Sequence, residues 1–248
     1  MRKICELGRY VLSKCGADKK EFLSAVYKRR TQAKKHQLDV PQFGRSMVEM
    51  LGVLAIIGVL SVGAIAGYSK AMFKYKLNKH SEQINQLIDA VSRFYQQFIN
   101  EQFYDTVVTS YFIKMGEVPD EMITNNDEDY VYDIFGTKVG IRNTHDESSG
   151  ATSMNLTFYQ DLSKHNKQNE DICINILNTV KQNRASIYYA TVVGVQNGAY
   201  SYVSYHGDHS CTSSKKCLKN MNIKDMHDMC ISQISKESAT ISVVWYDF

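Results

Sequence analysis

Between residues 50 and 68 the chain reads MLGVLAIIGVLSVGAIAGY, nineteen positions with no charge and a single serine. A helix of that length rises about 28 Å, the thickness of a bilayer's hydrocarbon core, and it has no polar face to turn toward water. Downstream, apolar residues recur at Leu77, Ile84, Leu87, Ile88, Val91, Phe94, Tyr95, Phe98 and Ile99. Steps of three and four describe one helical face, with Lys79, Glu82, Gln86 and Arg93 elsewhere on the wheel. No proline falls between Pro41 and Pro119. One helix is therefore expected to run from the apolar span to about Asn100, its second half amphipathic and packed on a globular body.

A second helical pattern covers residues 103–115 through Tyr104, Val107, Val108, Tyr111 and Phe112, and Gly116 and Pro119 stop it. The periodicity then changes to two. Aromatic and β-branched residues alternate over 137–142, 153–159, 186–196, 199–205 and 240–246, with turn signals at Asn197-Gly198 and Gly207-Asp208. That pattern predicts an antiparallel sheet. Between its second and third strands, residues 171–182 put Cys173, Ile176, Leu177 and Val180 on one helical face. The expected fold class is α+β: a long N-terminal membrane and stalk helix on an antiparallel sheet head with short helices.

Charge sharpens this picture. Residues 1–44 hold eleven Lys/Arg against four Asp/Glu, a net of +7, so the rest of the chain carries −4 out of the overall +3. A basic head before an apolar span is the cytoplasmic flank expected from the positive-inside rule, with the body on the other side. The cysteines divide at the same place. Cys5 and Cys15 precede the span, where a cytosolic location keeps them reduced, while Cys173, Cys211, Cys217 and Cys230 follow it. Four cysteines allow three pairings, and the sequence alone does not choose.

Candidate chemistry is sparse. His206-Gly207-Asp208-His209 lies near Cys211 and Cys217, but no C-x-x-C pair or H-E-x-x-H helix accompanies it, so a polar hairpin tip is expected and no metal. The acidic stretch 124–129 lacks the glycine and terminal glutamate of a calcium loop and reads as a solvated loop. No nucleophile elbow or phosphate-binding glycine loop is present. The sequence offers no catalytic residue and no cofactor. Nor does it offer a groove-reading element for nucleic acid; the span accounts for the basic head.

The switch from polar to apolar falls at Gln42-Phe43-Gly44-Arg45-Ser46-Met47-Val48-Glu49. A secretory signal has a short basic region and a small-residue cleavage site beyond its apolar stretch; here the basic region runs to about forty residues. Ala64-Ile65-Ala66-Gly67 does offer an Ala-x-Ala-like site, which makes a signal-anchored or secreted periplasmic binding protein the alternative reading. Glu49 weighs against it. A carboxylate at the lip of a span costs energy on insertion, and this one is the fifth residue counting from Arg45, directly behind a glycine.

Basic leader, Gly44, Glu49 and an apolar helix of about twenty residues together resemble the processing site and N-terminal helix of type IV pilins and type II secretion pseudopilins. The match covers roughly residues 43–71, and the long leader is similar to that of the type IVb branch. The family usually has Phe or Met where this chain has Arg45. The resemblance implies cleavage between Gly44 and Arg45 by a membrane-embedded prepilin peptidase, which usually methylates the new amino terminus. It implies a removed leader (1–44), a transmembrane and assembly helix (45–70), its amphipathic continuation (71–100) and a pilin head (101–248). Glu49 and the Arg45 amine would then set subunit register in a homopolymeric fibre. The implied partners are the peptidase, an assembly ATPase and a platform protein of the bacterial inner membrane. The head would be periplasmic at first and extracellular once in the pilus. Within such a head, Cys211 and Cys217 lie six apart across a polar turn, and Cys173 on its helix is free to meet Cys230. The expected disulfides are 211–217 and 173–230.

Overall fold

The computed structural model of the protein describes residues 47–100, 105–124, 127–146, 150–160, 167–232 and 238–246. The chain divides into two compact units, Met1–Val62 and Gly63–Phe248. The first helix, α1 (Met47–Asn100), has 54 residues. Its part in the first unit, residues 47–62, is exposed at every position.

In the second unit the amphipathic half of α1 faces an antiparallel sheet of six strands. These are β1 (Val131–Tyr132), β2 (Lys138–Asp146), β3 (Ala151–Tyr159), β4 (Tyr189–Gln196), β5 (Ala199–His206) and β6 (Ser238–Tyr246), in the order β1-β2-β3-β6-β4-β5. Three further helices are α2 (Thr109–Lys114), α3 (Lys167–Gln182) and α4 (Ile223–Ile231). The α+β class expected from the sequence is the one observed. Ile84, Leu87, Ile88 and Val91, four of the residues that set the helical period, are each at most 1% exposed. They meet the inward residues of the sheet, among them Ile141, Leu156, Phe158, Val192, Ile241 and Trp245. Because side chains alternate along a strand, the other face of the sheet turns out. Polar anchors hold the helix in place: Trp245 Nε1 donates to Ser92 Oγ at 3.1 Å, and Asn143 Nδ2 donates to the Phe98 carbonyl at 2.7 Å.

Elsewhere the structure revises the boundaries. The helix expected over 103–115 is only α2; residues 101–104 lie outside the described set, and Asp105 has φ 53°. Val107 and Val108 then run beside β2, with Val108 N donating to Ile141 O at 2.8 Å. Two adjacent β-branched residues prefer that extended pairing to a helical turn. The strand expected from residue 186 begins at Tyr189, because 183–186 form a turn in which Ser186 N donates to Asn183 O. The 206–209 segment is not a free hairpin tip. Gly207 N donates to Tyr188 O, Asp208 N donates to Arg184 O, and Asp208 Oδ2 lies 3.2 Å from Arg184 Nε. A Cβ on Gly207 would sit 2.0 Å from the Ile187 carbonyl oxygen, so only glycine lets the two turns close. The Asn197-Gly198 turn is as expected, both residues having positive φ, 50° and 74°.

Candidate functional site

Helix α1 is long and apolar enough to cross a membrane by length and composition: an eighteen-residue window has mean hydropathy 2.4, and none of it is buried. Met47 (86% exposed), Val59 (76%) and Val62 (70%) are among the large apolar side chains turned outward. Glu49 lies in the helix's first turn and is exposed. It is the only charge from residue 47 to residue 68. A carboxylate there complements the positive end of the helix dipole in any setting. Gly44 and Arg45 lie outside the described residues, as do Cys5 and Cys15.

The four remaining cysteines come together in two pairs. Cys173 on α3 is joined to Cys230 on α4, 57 positions apart, and Cys211 to Cys217, six apart. Both Cys173 and Cys230 are fully buried. Nothing in the sequence pattern had singled out α4. It begins at a capping box, in which Asn222 Oδ1 accepts from Asp225 N at 3.0 Å and Asp225 Oδ2 accepts from Asn222 N at 2.9 Å. Its buried face is Met226, Met229 and Cys230. The N-x-x-D spacing ahead of that apolar set is the signal that could have revealed it.

The sequence reading also passed over a buried polar cluster on α1. Ser81 Oγ donates to Asn175 Oδ1 (3.2 Å), which leaves Asn175 Nδ2 facing the Leu77 carbonyl (3.0 Å) and His80 Nδ1 (3.2 Å). His80 Nδ1 is thereby the accepting nitrogen and Nε2 carries the proton. Nε2 lies 3.0 Å from Asp133 Oδ2, and both side chains are at most 1% exposed. The contact is close but not aligned as a hydrogen bond. Asp133 Oδ1 meanwhile accepts from Phe135 N and Thr137 N, both at 2.8 Å, and Gln83 Oε1 accepts from Ile134 N at 3.0 Å. Through these bonds α1 holds the turn between β1 and β2. A polar residue on the apolar stripe of a helix, repeated here at His80 and Gln83, is the signal for such a partner.

Among the described residues, no group of three or more His, Cys, Asp and Glu is placed to hold a metal ion. His206 ends β5, where burial, and after it the charge of Lys215, lowers its pKa.

No family model matches the chain, and no curated protein matches it. Among solved structures, the chain is similar to TcpA, a type IV pilin from Vibrio cholerae El Tor biotype. The identity is 12% and the TM-score 0.40, over 69% of this chain and 99% of that one. A likeness of that size assigns no family; the functional assignment has to come from this chain's own residues.

What those residues do show is a physical requirement. The apolar surface of residues 47–68 demands a cover, either lipid or other apolar helices. The body, by contrast, closes its own core and staples it with two disulfides.

Proposed function

We propose that the protein is a membrane-inserted precursor of a fibre subunit of the type IV pilin class, cut after Gly44 and polymerised through α1. The observation that carries this reading is an exposed apolar stretch of helix, residues 47–68, whose only charge, Glu49, is the fifth residue from Arg45 behind Gly44. On this reading residues 1–44 are a cytoplasmic leader, 45–70 insert in the inner membrane, 71–100 are the stalk and 101–248 the head. The partners are a prepilin peptidase, an assembly ATPase, a platform protein and further copies of the chain. The exposed helix fits both stages, first covered by lipid and then by its neighbours in the fibre. The body's two disulfides suit an oxidising destination.

The mass of the mature N-terminus in a host carrying a prepilin peptidase tests the proposal. A start at Arg45 is expected. A start near Gly67 would make the chain a secreted periplasmic protein, and an intact Met1 would make it a plain membrane anchor. In the same host Gly44→Leu is expected to keep the basic leader attached and to block fibre formation, with both disulfides still formed in the body. Maturation of Gly44→Leu to the wild-type mass would sink the cleavage assignment.

A further inference from the structure

We infer that the outward face of the β4–β5 hairpin is a binding site for a neutral sugar, held by Tyr200 and Tyr202 at one end and by Tyr189 and His206 at the other. The cross-strand register builds the site. Tyr189 stands opposite His206, Thr191 opposite Ser204, Val193 opposite Tyr202 and Val195 opposite Tyr200. Alternation along the strands puts all eight on the face opposite Ala190 and Val192, which are fully buried, and Thr191, only 7% exposed, lies at the bottom of that face. The result is an open trough of about 420 Å³ along the sheet face, within the size range of about 300–1,000 Å³ typical of small-molecule sites.

The lining chooses the ligand. Tyr200 and Tyr202 are 74% and 72% exposed, and the fold makes no use of their rings. Strand propensity alone would be met by valine or threonine. At the other end the Tyr189 ring lies 5.8 Å from that of His206 and 6.1 Å from that of Tyr246, so this wall is held by its neighbours. Between the walls the floor offers the hydroxyls of Thr191 and Ser204. Thr191 Oγ1 donates to the Val203 carbonyl at 3.2 Å, which leaves its oxygen to accept from a ligand. His206 Nδ1 is engaged by Ser210 Oγ at 3.3 Å, so Nε2 is the nitrogen available to a ligand. Burial holds that imidazole toward its neutral form.

No residue lining the trough is a lysine, arginine, aspartate or glutamate, in a chain with 22% charged residues. A charged ligand would find no counter-charge in the lining itself, the cation that acts on it being Lys215 beside His206. A pyranose fits the chemistry from both sides: its C–H face lies against the negative face of an aromatic ring, and its hydroxyl edge meets Thr191, Ser204 and His206. A protein face seated on the trough would leave the hydroxyl floor facing apolar side chains, at a cost in unpaired polar groups.

The test uses the full chain in phospholipid bicelles, free of sugar-based detergent, so that it does not depend on fibre formation. Binding is measured to immobilised galactose-, glucose- and mannose-terminated oligosaccharides and to sialylated and sulfated counterparts. Selective retention on at least one neutral glycan is expected. Tyr202→Ala should weaken it roughly tenfold, and Tyr202→Phe, which keeps the ring, should bind nearly as wild type. Disulfide mapping of each variant confirms that the body has folded. Four results would each overturn the inference: no neutral glycan retained, preference for the charged glycans, Tyr202→Ala binding as tightly as wild type, or the loss of Tyr200 and Tyr202 from chemical iodination when the chain self-associates.

Discussion

His80 and Asp133 show how one residue pair ties a helix to a distant turn. Asp133 Oδ1 is committed to the backbone N–H groups of Phe135 and Thr137, so Oδ2 is left with His80 as its neighbour, and neither side chain reaches solvent. Deleting the imidazole leaves a buried carboxylate oxygen facing a cavity. Desolvation without a partner costs more than the net value of the original contact. His80→Ala is expected to destabilise the body by about 3 kcal/mol, read as a fall in the denaturant midpoint at unchanged slope. His80→Leu combined with Asp133→Asn should recover part of that loss, since the amide oxygen still accepts both N–H groups and an unpaired neutral amide N–H costs less to bury than an unpaired carboxylate. If the double variant is no more stable than His80→Ala, the penalty lies in lost packing of the helix and not in the buried carboxylate.

At the scale of elements, α3 and α4 depend on a covalent link. The Cys173–Cys230 bond closes a loop of 57 residues and the Cys211–Cys217 bond one of six. Chain entropy gives about 4 kcal/mol for the first and about 2 kcal/mol for the second. Cys173→Ser should therefore lower the thermal midpoint by roughly twice as much as Cys211→Ser, and raise amide exchange across α4. Equal effects would mean that α4 is held by its buried Met226 and Met229 and not by the bond. Legibility of the sequence divides along similar lines. The amphipathic half of α1 was readable because about six turns repeat one stripe, and the β4–β5 hairpin because Asn197-Gly198 suits a turn with two positive φ values. Helix α4 was not: nine residues with three buried side chains give too few repeats to set a period. Val107 and Val108 fit a helical stripe on paper, but a neighbouring strand was available to pair with them. As for the candidate sites, Glu49 was visible because a charge inside an apolar run is conspicuous. The tyrosine trough was not, because only strand register brings Tyr189 opposite His206.

For the whole molecule, the proposed function has the exposed helix covered twice, and Glu49 is the residue that distinguishes the two covers. In lipid it can reach the headgroups at the membrane surface. In a fibre whose core is built from apolar helices it has no such exit, and it must meet a positive charge or become neutral. On the proposed function, cleavage after Gly44 creates that charge, the α-amino group of Arg45, and the Glu49 of one subunit would face the Arg45 amine of the next one entering. A subunit docked one turn out of register would bury both charges unpaired, so the contact selects the axial step. The Arg45 side chain adds a second cation, which makes the pairing more tolerant than an apolar first residue would. Glu49→Ala is accordingly expected to insert in the membrane and to be cut at the normal site, while building no fibre visible by electron microscopy when expressed alone. Co-expression with wild type should restore fibres in part, because each variant subunit still brings an amine for a neighbour's carboxylate. Normal fibres from Glu49→Ala alone would show that the carboxylate only reaches for the headgroups, and that register is set by the heads.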